Sequence, residues 1–75
     1  MRRKIDAING RKAINYLRSR AYDGRVRLED AFLLAGLHPS NISRWSRQIH
    51  SARVRHIRDV EAAIELLSED TGRSA

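Results

Sequence analysis

Apolar positions recur at helical spacing along nearly the whole chain. Ala7, Ile14, Leu17 and Ala21 follow one another at steps of seven, three and four, which stacks them on one helical face. This pattern predicts a first helix within Asp6–Tyr22. Gly10 weakens its beginning and leaves Arg11–Tyr22 as the firm stretch. Asp23-Gly24 ends it, because glycine tolerates the left-handed backbone that follows many helices. A second helix is predicted over Leu28–Ala35, with Glu29 and Asp30 complementing the dipole in its first turn and Gly36 stopping it. A third opens at His38-Pro39-Ser40, since proline is favoured at the first helical position, where its missing N–H would have had no partner. It carries Ile42 and Trp45 on one face. The fourth has the clearest pattern, with Val54, Ile57, Val60, Ile64 and Leu67 at steps of three, three, four and three. Ser68–Ala75 has no apolar repeat and is expected to fray. No strand-like alternation occurs, and only Arg25–Leu28 suits a short extended piece. The expected fold is all-α, a compact bundle of four helices forming one domain over residues 1–75.

Composition narrows what such a domain does. A chain of 75 residues lies near the lower limit at which a core holds a fold alone, and dimerisation is a common remedy. The lack of cysteine excludes disulfides and thiolate metal sites and suits a reducing compartment. No apolar run approaches the ~18 residues of a membrane span, and the basic start lacks the apolar stretch of a signal peptide. A soluble intracellular protein is expected. His38, His50 and His56 are spaced unlike metal ligands on a helix, and no nucleophile–base–acid set or phosphate-cradling glycine loop occurs, so neither an enzyme nor a metal, cofactor or small-molecule site is expected.

Charge changes the picture most. The net charge is +6, unevenly placed: residues 1–27 hold nine basic and two acidic groups, 28–58 five and two, and 59–75 one and five. Most of the cations are arginine, whose guanidinium makes bidentate contacts with phosphate and with guanine. The pattern points to a nucleic acid partner; the plainer alternative is a solvated surface that keeps the chain soluble.

The window Leu28–Arg47 has the order of parts of a helix-turn-helix: a short helix, a turn residue tolerating a left-handed backbone, and a second helix that packs by one face. Gly36 supplies the turn and Leu37 the apolar plug beneath it. Ile42 and Trp45 anchor the second helix, and Ala31 and Ala35 are small enough for a close crossing. The stretch Gly36-Leu37-His38-Pro39-Ser40-Asn41-Ile42-Ser43-Arg44-Trp45 resembles the helix-turn-helix of small phage regulators of the Cro, repressor and CII kind, and Ile42-Ser43-Arg44-Trp45 is closest to the recognition helix of CII-type activators. The resemblance covers about twenty residues and does not separate repressor from activator. It implies a DNA-binding transcriptional regulator in the cytoplasm of a bacterial host, occupying a palindromic operator as a homodimer. Two positions depart from the family. Phe32 stands where alanine is usual, so either the helices cross more widely or the first is rotated to bring Ala31 to the contact. His38 stands where Ser, Thr or Asp usually caps; histidine caps poorly, which leaves its side chain for a phosphate or base.

In such a motif the start of the second helix faces the base edges, which makes Pro39, Ser40, Asn41, Ser43, Arg44 and Arg47 the candidates for base contact. Arg44 pairs with guanine or touches phosphate alone; Asn41 pairs with adenine or serves the backbone at the helix start. Ser40 and Ser43 suit phosphate or water-mediated contacts better than direct reading. Trp45 belongs to the core. Arg25, Arg27, His38, Arg53 and Arg55 are candidates for the DNA backbone. Arg2, Arg3 and Lys4 form either a groove-tracking arm or a basic start with no fixed contact. The acidic fourth helix should face away from DNA, with Ile64, Leu66 and Leu67 either in a dimer contact or packed internally. Two rivals remain: an accessory factor for recombination or packaging, such as an excisionase or small terminase subunit, and a helical protein-interaction module such as an antirepressor.

Overall fold

The computed structural model describes residues 7–48 and 52–74, with side chains placed for 9–48 and 52–69. Four helices, α1 (Gly10–Asp23), α2 (Leu28–Leu34), α3 (Ser40–Arg47) and α4 (Val54–Ser74), form a compact, mostly helical domain. Two short strands, β1 (Ala7–Ile8) and β2 (Ala52–Arg53), pair antiparallel with Ala7 opposite Arg53 and Ile8 opposite Ala52. No described helix is long and apolar enough to cross a membrane.

The strands correct the expectation of a purely helical chain with any extended piece at Arg25–Leu28. Two-residue strands are too short to show alternation, and their pairing joins segments distant in sequence. Ala7 accordingly lies in β1, ahead of the helix its spacing suggested. What starts α1 is Asn9, whose Oδ1 accepts from the N–H groups of Arg11 at 2.9 Å and Lys12 at 3.3 Å. That is an asparagine N-cap, and it lets the helix begin at Gly10 despite the weak propensity there. At the other end of the chain α4 runs to Ser74, past the last apolar position of its stripe at Leu67. Loss of the apolar repeat removes packing but not the backbone ladder, and Ser68 still packs against Gly24.

Both corners, α1 to α2 and α2 to α3, use the same backbone device. After α2, Gly36 takes φ +84° and donates to Leu33 O at 3.0 Å, while Leu37 N–H donates to Phe32 O at 2.8 Å. After α1, Arg25 takes φ +58° and donates to Tyr22 O at 3.1 Å, while Val26 N–H donates to Ala21 O at 2.8 Å. Each is a Schellman ending with an aliphatic residue, Leu37 or Val26, packed against the core just beyond it. The left-handed residue of the first corner is therefore Arg25 and not Gly24, whose φ is −88°. Gly24 is needed for another reason: a Cβ there would lie 3.0 Å from Ser68 Oγ and 3.1 Å from its Cβ. Arginine in the left-handed region is strained by roughly 1 kcal/mol. Arg25→Gly is thus expected to raise stability by about 0.5–1 kcal/mol, and Gly36→Ala to lower it by about 1–2 kcal/mol, in urea titrations followed by circular dichroism. Nothing lies within 4 Å of a Cβ built at Gly36, so that loss is conformational strain alone.

The core joins Ala13, Ile14, Leu17 and Ala21 of α1, Leu28, Ala31 and Phe32 of α2, Trp45 of α3, Ala52, and Ile57, Val60, Ala63 and Ile64 of α4. Helix α3 packs chiefly on α1 and α2 chiefly on α4. Between α2 and α3 the rings of Phe32 and Trp45 meet edge to face, with centroids 5.1 Å apart and planes at 61°. Phe32 and Trp45 are 0% and 1% exposed. The two rings fill the space between α2 and α3. Ala31 is fully buried as well.

On the outside, Arg20 ties α1 to α4 through Glu61 at 3.1 Å and Glu65 at 3.3 Å. Tyr16 Oη joins the same group by donating to Glu61 and accepting from Arg20. The hydrogen bond and charge interaction with Tyr16 raise the Arg20 guanidinium above its already high pKa, with Glu61 and Glu65 adding to the effect. Such solvated pairs fix register more than they stabilise. They also set one positive charge against two of the carboxylates of α4.

Candidate nucleic-acid interface

Helix α3 has two unlike sides. Its inner side is held by Trp45 and by the partly buried Ile42, which packs against the core. Its outer side carries Ser40, Ser43, Arg44 and Arg47, all exposed, with Pro39 and Asn41 half-buried at its start. It contains no acidic residue. Every base-contact candidate therefore lies on this helix or at its entry.

The entry is built by His38, against the expectation that histidine would leave the cap unmade. His38 Nδ1 accepts from the Ser40 N–H at 3.0 Å, and its backbone oxygen accepts from the Asn41 N–H at 3.0 Å. Ser40 Oγ lies 2.9 Å from the same ring nitrogen. Pro39 has helical dihedrals, φ −59° and ψ −22°, so the chain is already in the first turn there. The imidazole reaches the same amide that an aspartate cap reaches. With Nδ1 engaged, Nε2 is the ring nitrogen left to face outward.

Asn41 and Arg44 act as a pair. Asn41 Nδ2 donates to His38 O at 2.9 Å, and its Oδ1 accepts from an Arg44 Nη2 hydrogen. The amide thus serves the backbone at the helix start, and it also holds the guanidinium of Arg44 against the α3 surface. Ser46 Oγ donates back to Ile42 O at 2.8 Å, so it is engaged on the helix itself.

The backbone-contact candidates fall into two groups. Arg53, on β2, and Arg55, in the first turn of α4, are exposed at the end of the bundle where α1 begins and α3 stops. Arg11 was not among the residues singled out from the sequence, yet it belongs here. Its Nε donates to Ser46 O at 3.4 Å, and it lines a groove with Asn9, Arg47 and Gln48. Exposed Lys12 follows it in an α1 first turn free of acid. The available signal was Asn9, a cap residue two positions before the pair Arg11-Lys12. Arg25 and Arg27 lie at the far end of α1, roughly 20 Å along its axis. Arg27 is partly engaged by Glu29 at 3.3 Å, a well-solvated pair. Arg2, Arg3 and Lys4 lie outside the described residues, as does His50.

Of the dimer-contact candidates, Ile64 is corrected. It is 2% exposed and packs inside the chain, in line with the rest of its stripe. Leu67 is half-buried against the same core, and Leu66 alone is fully open, 60% exposed. Among the described residues no group of three or more His, Asp or Glu side chains is placed to hold a metal ion.

No known protein family, curated protein or solved structure matches the chain. The geometry of α3 and its surroundings therefore carries the functional reading by itself.

Proposed function

We propose that this protein is a sequence-specific double-stranded DNA-binding regulator, with α2, the Gly36 turn and α3 acting as a helix-turn-helix and α3 as the helix that reads the major groove. The observation that carries this is the outer side of α3. It offers hydroxyl, amide and guanidinium groups, no carboxylate, and a buried tryptophan fixing its orientation. Those are the groups that read base edges and hold phosphates. The Schellman corner at Gly36, with Leu37 packed beneath it, has the order of parts such a motif needs.

Arg11, Lys12, Arg47 and Arg53 supply the phosphate contacts on this reading, and Arg44 with Asn41 the base contacts. His38 offers Nε2 to a phosphate while Nδ1 keeps the helix capped. Arg25 fits the same scheme, because a strained left-handed position is held by an arginine where glycine would be more stable. The Phe32–Trp45 contact sets how far α3 stands out from α2, and with it the docking angle. It leaves the outer side of α3 unchanged.

Selection of bound sequences from a random duplex pool tests the reading. A short shared sequence is expected, palindromic if two copies bind side by side with half-sites about 34 Å apart. Retention of all sequences alike, or of none at low salt, overturns it.

A further inference from the structure

The fold leaves an apolar surface uncovered where α2 meets α4. Leu34 of α2 is 53% exposed, and Leu66 of α4 is 60% exposed. A shallow groove between the helices is lined by Leu34, Ala62 and Leu66, with Asp59 at its rim. Leu34 and Leu66 are open leucines lining one groove, and apolar patches of this kind mark contact sites.

The charges around the patch say what covers it. Arg55, Arg58, Asp59, Ala62, Leu66 and Glu69 are all exposed, and at about 100° per residue they share roughly 100° of arc on α4. Along this stripe Arg55 and Arg58 lie at the start, Ala62 and Leu66 follow beyond Asp59, and Glu69 stands at the far end. Arg55 and Glu69 stand at equal sequence distances on either side of Ala62. A surface of this kind is complementary to itself when turned end for end, which is the requirement of a two-fold interface.

We infer that this face binds a second copy of the chain, with α4 packed antiparallel on α4 about a two-fold axis at Ala62. The small side chain of Ala62 lets the two helices approach at the axis. Arg55 of one protomer then lies beside Glu69 of the partner subunit, and the symmetry repeats the pair. Arg58 lies over the partner subunit's Leu66, where its methylenes cover the leucine. Glu65 is the group that would oppose Asp59, and it is turned aside toward α1 by Arg20 at 3.3 Å. A parallel pairing would set Arg55 against Arg55 and Glu69 against Glu69, and like charges disfavour it. Leu34 flanks the contact from α2. The interface differs from one built on Ile64 and Leu67, which face inward, and keeps only Leu66 of that set.

Sedimentation equilibrium of the full chain without DNA tests this, and its failure would leave the reading of α3 untouched. The wild-type protein is expected to be dimeric at tens of micromolar. Leu66→Glu is expected to weaken the dimer about 30-fold or more. Arg55→Glu and Glu69→Arg should each weaken it about tenfold, since reversal sets two like pairs in contact. Combining them in one chain restores opposite charges, so the double variant should dimerise within about threefold of the parent. A wild-type chain that stays monomeric, a Leu66→Glu variant that dimerises like the parent, or a double variant no tighter than the single ones would overturn the proposal. These substitutions lie on the solvated face, so an unchanged far-ultraviolet spectrum separates lost association from lost folding.

Discussion

Phe32→Ala is expected to lower the thermal midpoint by about 20 °C. The side chain is fully buried and meets Trp45 edge to face at 5.1 Å, so truncation leaves a void that neither helix can close unaided. Large-to-small changes of this kind cost about 3–5 kcal/mol. A chain this small has only about 4–11 kcal/mol to lose, and each kilocalorie is worth roughly 4–8 °C at this size. The substitution is informative because alanine is the residue that the phage-regulator resemblance puts at this position. A conventional close crossing would accept it. Here two rings meet between α2 and α3, and removing one leaves Trp45 without its partner. A melt followed by circular dichroism at 222 nm reads the result; a drop under about 5 °C would mean that α2 and α3 can close on each other.

The second large effect concerns binding. If α3 reads DNA, Arg44→Ala should weaken binding to the selected sequence by roughly 5- to 100-fold, the range of one bidentate base contact. Stability should barely change, because Arg44 is exposed and held only by Asn41. That tether reduces the rotamer freedom lost on binding, so Asn41→Ala should weaken the same contact even where Asn41 touches no base. Arg44→Lys should not restore affinity, since an ammonium cannot reproduce two parallel hydrogen bonds. Titrations by fluorescence anisotropy against the selected and a scrambled duplex separate loss of specificity from loss of general affinity. Parental affinity and selectivity in Arg44→Ala would remove α3 from the role of reader.

The helices were legible because their apolar residues do the packing. Ile57, Val60 and Ile64 keep their stripe and are all buried, and Trp45 is core as its register with Ile42 required. Chain reversals were legible as places but not always as conformations. Gly24 drew the left-handed assignment that belongs to Arg25, because the sequence cannot show that Ser68 lies against the glycine. The cap at His38 was hidden by chemistry. An imidazole nitrogen can accept the Ser40 amide, yet histidine is outside the residues that usually do so. Arg11 was overlooked for a different reason: its relation to Ser46 and Arg47 exists only once α1 and α3 are packed together. The open side of α4 was likewise obscured, since Ile64 and Leu67 look as available as Leu66 until the neighbouring helices are in place.

The two matching corners also bear on how the chain finds its fold. Each is closed by hydrogen bonds spanning at most about five residues, so forming one requires little loop closure. The β1–β2 ladder joins residues roughly 45 positions apart, and its two residue pairs offer little enthalpy against that entropy. The expected order is corners and helices first, with the strands clasped onto an assembled bundle. The reverse order follows for local opening, and amide hydrogen exchange should find the ladder less protected than α1 near Leu17. If the ladder amides are protected as strongly as those of α1, the strands instead belong to the cooperative core and the clasp holds the bundle shut.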